Sequence, residues 1–339
     1  MERVESTVQQ VGVAILGLGT VGAAVARTIA EQRSLIAMRA GVQLTVRAVL
    51  ERGPERLARA DLDQSLFVAS IDDILANDQI QVVVETLGGE QPAAGQMLRA
   101  LEAGKHVVTA NKEALSKHFV ELLRAAHQAG RALLFEASVG GGIPLMVAYR
   151  QILVDNQISL VRGIVNGTTN FILSQMAEQG TSYADALAEA QRRGYAEPDP
   201  TADVEGYDAA YKLAILASLM TGRHIHPDQV ERTGIANVTA QAVQSARREG
   251  GALKLIARAE WNVDQLVLTV SPEVVPGDDL LAHVPANFNA VELVGQRVGP
   301  VLLYGQGAGP LPTASAVVSD IVEAARIGAK ALAPIILAV

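Results

Sequence analysis

The stretch "VGVAILGLGTVGAAVARTIAEQ", residues 11–32, decides the fold class. Its opening "VGVAIL" is an apolar run of strand type, and its closing "AAVARTIAEQ" repeats apolar residues at the 3.6-residue period of a helix. Between them lies "GLGTVG", in which Gly17, Gly19 and Gly22 spell G-x-G-x-x-G. A glycine pattern that leaves a strand and opens a helix has the setting a dinucleotide site needs. Gly17 makes the tight turn, Gly19 lets the backbone approach a pyrophosphate, and Gly22 lets the helix pack closely on the strand. The free N–H groups of the helix start then face the phosphates. A purely structural glycine turn is the plainer alternative, and the strand-to-helix placement argues against it.

Working outward, strand-like runs alternate with helical patterns through residue 140: "LTVRAVL" (44–50), "QVVVET" (81–86), "HVVT" (106–109) and "ALLFEAS" (132–138). This alternation predicts an α/β, Rossmann-type, doubly wound parallel sheet. The chain has 339 residues, 49% hydrophobic and 19% charged, enough to bury a core and too apolar for disorder. A net charge of −8 with no basic run argues against nucleic acid. The absence of cysteine excludes disulfides, thiolate metal sites and cysteine nucleophiles. The polar opening "MERVESTVQQ" is no secretion leader, and the apolar runs fall short of the ~20 residues of a membrane span, so a cytoplasmic protein is expected.

Ligands of such sheets gather at the carboxyl ends of the strands. After the second strand stand Glu51, suited to a ribose 2′-OH, and Arg52, suited to a 2′-phosphate; the balance tips slightly to NAD over NADP. Lys112 follows a strand at the head of the helical run "EALSKHFVELLRAAHQAG", where the helix dipole disfavours a cation. That placement points to a ligand, with a solvated surface lysine as the bland reading. "SVGGG" ahead of Pro144 reads as a turn that aims backbone carbonyls at one spot, and Glu136 beside it would suit an oxygen-ligated cation, although most glycine loops are only loops.

From about residue 150 the rhythm changes. "LVRGIVNGTTNFILSQM" (160–176) reads as strand, polar turn and helix, with Thr168 or Thr169 as cap or substrate contact. Pro198 and Pro200 forbid helix across "AEPDPT", and helix is expected to resume near Asp203 as N-cap. Counted from there, Glu205, Asp208 and Lys212 share a stripe that continues into Ile215, Leu216 and Leu219. Asp208 to Lys212 is a favourable i,i+4 pair. Two readings stay open: an ordinary intrahelical ion pair, or a polar pocket that holds a lysine charged and aimed to hand over a proton. Farther on, "QLVLTVSPEVV" (265–275) and "NFNAVELVGQRVGPVLLYGQGAG" (287–309) read as sheet, and a glycine turn then feeds a helix beginning near Thr313. The apolar tail "ALAPIILAV" is too short to span a bilayer and is expected to pack on the body or on a partner subunit.

The run "AQRRGYAEPDPTADVEGYDAAYK" (190–212) resembles the signature of homoserine dehydrogenases. "ILGLGTVG", "VVETLGG", "TANKEAL", "EASVGGGIP", "VNGTTNFIL", "NAVEL" and "GAGPLPTASAVVSDIV" follow the order of that family, so the likeness covers residues 11 to 328. It implies interconversion of L-homoserine and L-aspartate 4-semialdehyde with NAD or NADP, in threonine and methionine biosynthesis. By the same resemblance Lys212 donates the proton, Asp208 orients it, and Glu197, Asp203, Thr168 and Tyr195 hold the amino-acid end of the substrate. Lys112 would lie between cofactor and substrate. Gly17, Gly19, Thr20, Val21 and Gly22 would meet the pyrophosphate, Thr86 the ribose side and Gly307 the nicotinamide end. The family also binds sodium, for which Glu136 and the carbonyls of Val139, Gly141 and Ile143 stand at matching positions.

The expected organisation is a dinucleotide-binding domain, 1–145 with 304–339, and an inserted α+β substrate-binding and dimerisation domain, 146–303. A homodimer pairing through 287–303 is implied by the resemblance. Many family members carry a further regulatory domain, and this chain stops soon after the last helix, so threonine feedback through such a domain is not expected. Two rivals remain: a reductase of another amino-acid semialdehyde, and a non-catalytic NAD(H)-sensing regulator. The first need not combine Glu197, Asp208 and Lys212, and the second would bring a basic DNA-binding module that is not visible.

Overall fold

A computed structural model describes residues 8–262 and 265–327; the tail "ALAPIILAV" lies outside the described residues. These divide into two compact units, 8–138 with 309–327 and 139–308. The units meet at 138/139 and 308/309, where the sequence reading places 145/146 and 303/304; the last strand of the second unit runs past the latter, to Gln306.

The first unit is built on strands β1 (Gln9–Leu16), β2 (Val42–Leu50), β3 (Phe67–Val68), β4 (Val82–Glu85), β5 (His106–Thr109) and β6 (Leu133–Leu134). They form one sheet in the order β3-β2-β1-β4-β5-β6, parallel throughout. β4 and β5 are buried at every residue, as expected for strands covered on both faces. Val11, Val13 and Ile15 of β1 pack with Val25 and Ile29 of the helix Thr20–Glu31 and with Val317 and Ile321 of the helix Pro310–Ile327. The chain runs outward from β1 to β3 and returns on the other side at β4. The strand order therefore reverses between β1 and β4, the topological switch point at which such sheets bind ligands.

Two expectations in this unit need correction. The run 132–138 is strand only at Leu133–Leu134, because Glu136–Ser138 turn into a short 3-10 helix. There the Glu136 N–H donates to Asp320 and the Ser138 hydroxyl donates to the Thr109 carbonyl. The run 113–130 is not one helix but two, Lys112–Lys117 and Phe119–Ala129, parted at His118. Its ring bridges Glu90 and Glu121.

The second unit holds β7 (Ile158–Ile164), β8 (Glu231–Arg232), β9 (Ala252–Asn262), β10 (Gln265–Val275), β11 (Phe288–Gly295) and β12 (Gly299–Gln306). Their order is β12-β11-β7-β9-β10-β8, antiparallel except where β8 meets β10. The helices Gly167–Gln179 and Tyr207–Thr221 pack on this sheet, and the second is buried on almost every side. It starts at Tyr207, not near Asp203, because Gly206 takes φ +81° and separates it from the single turn Thr201–Val204. Asp203 is therefore not its N-cap, and Glu205 precedes the helix instead of sharing its stripe. Among the described residues no helix is long and apolar enough to cross a membrane.

Candidate active site

In the second unit β7 ends at Ile164, and two residues later Asn166 caps the helix Gly167–Gln179. Its Oδ1 accepts the Thr169 N–H at 2.8 Å and the Thr169 hydroxyl at 3.0 Å, so the cap is Asn166 and neither threonine. The Asn166 amide donates to Asp203 at 2.7 Å and to Asp208 at 2.9 Å. Every hydrogen-bonding atom of this buried side chain is thus in use, and it joins the two carboxylates.

Asp208 receives the Lys212 ammonium at 2.7 Å, and the same ammonium donates to the Val165 carbonyl at 2.7 Å. Lys212 is only 9% exposed and Asp208 6%, so this is a buried pair and not the solvated helix pair of the bland reading. An ammonium carries three N–H groups, and these two bonds leave a third for a ligand oxygen. Burial and the neighbouring Asp208 charge push Asp203 above the usual carboxylate range, opposed by Asn166, Lys212 and Thr168. The Thr168 hydroxyl donates to the Tyr195 carbonyl at 2.7 Å, and the Tyr195 ring meets Phe171 edge-on. Thr168, Tyr195, Asp203, Asp208 and Lys212 are thereby brought together around Asn166. Glu197 is exposed, and its place is fixed through its carbonyl, which accepts from Gln191 at 3.1 Å.

The first unit carries the glycine turn. Gly17 sits at φ +88°, which favours glycine. A Cβ on Gly22 would lie 2.1 Å from the Gly17 carbonyl oxygen, so only glycine allows this helix-to-strand approach, whereas a Cβ on Gly19 would project into open space. The Gly19 cap has no side-chain hydrogen bond, and the first bond of the helix runs from Ala23 to Gly19. The N–H groups of Thr20, Val21 and Gly22 therefore have no intrahelical acceptor. An open floor at Gly19 facing unspent donors fits a pyrophosphate.

Glu51 follows β2 directly. Its Oε1 accepts from Leu18 N–H at 2.8 Å and its Oε2 from Arg52 N–H at 2.9 Å, while Arg56 pairs with it at 3.3 Å. Partial burial pushes its pKa up, but these bonds win and hold it below the usual range. Thr86 donates to the Gly17 carbonyl at 2.8 Å and braces the turn. Lys112 opens the helix capped by Asn111. Nothing in the sequence reading singled out Asn166 as the junction of the carboxylates, or Glu85, the fully buried last residue of β4. The visible signals were an asparagine at a helix cap and a carboxylate inside an otherwise apolar strand.

Glu136 is buried in the first unit. In the second, Gly140 and Gly141 have φ +81° and +57°, and the Ile143 carbonyl already accepts from Leu145 N–H at 2.7 Å. The Gly142 N–H donates to the Gln306 carbonyl at 3.1 Å. A Cβ on Gly307 would fall 1.9 Å from the Asn289 amide nitrogen, so any larger residue there would have to displace the Asn289 side chain.

The parallel sheet, its switch point and the glycine turn define a Rossmann-type, dinucleotide-binding fold. The homoserine dehydrogenase family matches residues 144–322, and the NAD-binding domain of homoserine dehydrogenase matches residues 17–136. The chain belongs to the homoserine dehydrogenase family, whose members act on a CH–OH group. It is 43% identical over 316 residues to the homoserine dehydrogenase of Pseudomonas aeruginosa, covering 93% of this chain and 72% of the relative. A homoserine dehydrogenase structure from Thiobacillus denitrificans is similar at 38% identity and TM-score 0.91, covering 97% of this chain and 77% of that one. A hyperthermophilic archaeal homoserine dehydrogenase in complex with NADPH is similar at 28% identity and TM-score 0.79, covering 93% and 98%.

Proposed function

We propose that Lys212 is the proton donor and acceptor in the interconversion of L-homoserine and L-aspartate 4-semialdehyde. The observation that carries this reading is the Lys212 ammonium, buried and fixed by Asp208 and Val165, each at 2.7 Å. A bound NAD(P) supplies or takes the hydride. In reduction Lys212 gives a proton to the oxygen as hydride reaches the aldehyde carbon, where alkoxide charge develops; oxidation runs the same step backwards. Asp208 aims the lysine, and Asn166 aims Asp208. Asp203 and Glu197 would grip the substrate ammonium, with Thr168 and Tyr195 shaping that end.

The first unit is the cofactor domain in this reading, with Gly17, Gly19, Thr20, Val21 and Gly22 at the pyrophosphate. Thr86 serves the ribose side, Lys112 lies between cofactor and substrate, and Gly307 is assigned to the nicotinamide end. The NADPH complex of the archaeal relative supports NAD(P) use without fixing the choice here. Glu51 favours NAD, since a 2′-phosphate beside a carboxylate held ionised would be repelled. Arg52 and Arg56 are the residues that would oppose this preference. Sodium at Glu136 and the carbonyls of Val139, Gly141 and Ile143 is compatible with the all-oxygen donor set. We assign dimerisation to β11 and β12, because β12 is an edge strand whose Tyr304 is 51% exposed.

A spectrophotometric assay of the purified protein with L-homoserine, run in parallel with NAD⁺ and NADP⁺, tests this reading. Turnover with a higher kcat/KM for NAD⁺ is expected. Tight cofactor binding with no turnover of L-homoserine by either would overturn the substrate assignment.

A further inference from the structure

Glu85, the last residue of β4, has no solvent exposure. Its Oε1 accepts from Leu87 N–H at 2.8 Å and from the Asn111 amide at 3.3 Å, and its Oε2 accepts from the Thr109 hydroxyl at 2.6 Å. The Gly88 N–H also points at it. All these partners are neutral and all donate. Four donors converging on one side chain suit an ionised, acceptor-only carboxylate; a protonated carboxyl could place its proton only on the Thr109 hydroxyl. Thr109 Oγ1 already receives the Asn111 N–H at 2.9 Å. Burial pushes this carboxyl above the usual carboxylate range, opposed by the bonds donated from Thr109, Leu87, Asn111 and Gly88. Burying a charge among neutral partners is costly, and a neutral glutamine or leucine would fill the same strand end.

Two consequences follow from where the charge sits. The Asn111 amide bridges Glu85 and the Gly89 carbonyl, the latter at 2.8 Å, while Asn111 Oδ1 accepts the Ala114 N–H at 3.0 Å. Glu85 thereby ties the loop 86–89 to the first turn of the helix that begins with Lys112. The position relative to the cofactor comes from topology. Glu51 after β2 marks the adenosine side of the switch point, so the nicotinamide half falls on the β4–β5 side. That ring is positively charged when oxidised and neutral when reduced.

We propose that Glu85 is a positioning residue for the nicotinamide half, holding Lys112 and the loop 86–89, and that its buried charge favours the oxidised cofactor over the reduced one. The inference rests on the reading of the first unit as the cofactor domain. The test is isothermal titration of wild type, Glu85→Gln and Glu85→Asp with the oxidised and reduced forms of whichever cofactor the wild type turns over, together with kcat. Glu85→Gln should weaken the oxidised form at least fivefold and the reduced form less than twofold, and lower kcat at least tenfold. Glu85→Asp keeps the charge, so its oxidised-to-reduced affinity ratio should stay within twofold of wild type while kcat falls. Should Glu85→Gln not fold, a changed ratio in Glu85→Asp overturns the proposal and an unchanged ratio with lowered kcat supports it. Equal weakening of both forms by Glu85→Gln, or no weakening, overturns it. A wild type that binds neither form would instead sink the cofactor reading itself.

Discussion

Replacing Asn166 with alanine should damage stability and turnover together, by amounts that follow from its bonds. The amide gives one hydrogen bond each to the carboxylates of Asp203 and Asp208, at 2.7 and 2.9 Å. Bonds to charged groups are worth about 1.5–3 kcal/mol each, and loss of an N-cap side chain about 1 kcal/mol. At the low end these add to about 4 kcal/mol, and since all belong to one side chain they are not fully additive, leaving about 3–4 kcal/mol. For a unit of this size each kcal/mol moves Tm by about 2–4 °C, so the expected loss is about 10 °C. Asn166→Asp makes the contrast sharper. Aspartate caps a helix as well as asparagine does, but here it would place a third carboxylate between two others. Its folded pKa would be raised, so its stability should be better near pH 5 and fall as pH rises towards 8. Differential scanning calorimetry between pH 5 and 8, with kcat for L-homoserine at each pH, checks both variants. An Asn166→Ala protein within 2 °C and twofold in kcat of wild type would show that Asn166 does not hold the two carboxylates in place.

Three further outcomes follow from the geometry. Gly22→Ala should lose at least tenfold in cofactor affinity, because the new Cβ lies 2.1 Å from the Gly17 carbonyl and the turn must open; titration calorimetry reads this directly. Glu51→Gln should lower the kcat/KM ratio of NAD⁺ to NADP⁺ at least fivefold, and an unchanged ratio would remove Glu51 from cofactor choice. His106, buried and near the Arg131 charge, is pushed down from 6.5 to about 4. On acidification the unfolded chain protonates there first, so wild type should lose Tm between pH 6.5 and about 4 relative to His106→Gln, while above pH 6.5 the gap stays constant.

Much of the first unit was legible because it obeys local rules. A glycine pattern at a strand-to-helix junction, and buried parallel strands that read as continuous apolar runs, need no long-range information. What escaped was decided by contacts distant in sequence. The helix 113–130 breaks because His118 is tied to Glu90, and the run 132–138 leaves the sheet because Glu136 and Ser138 find Asp320 and Thr109. Around the lysine, i,i+4 spacing correctly paired Asp208 with Lys212, but it could not reveal that both are buried. The stripe reading placed Glu205 with them, since nothing local signalled that Gly206 would adopt a positive φ and start the helix later. Asn166 was visible only as a polar residue at a turn, and its role depends on carboxylates about forty positions onward.

If Lys212 moves the proton, cofactor binding is left to the first unit. Lys212→Met, assayed for L-homoserine oxidation and for NAD(P)⁺ affinity by calorimetry, tests it most directly. A fall in kcat of about 10²–10⁴-fold, the range of general acid–base catalysis, is expected, with cofactor affinity within twofold of wild type. Retention of more than a tenth of the activity, or a parallel collapse of cofactor binding, would contradict it.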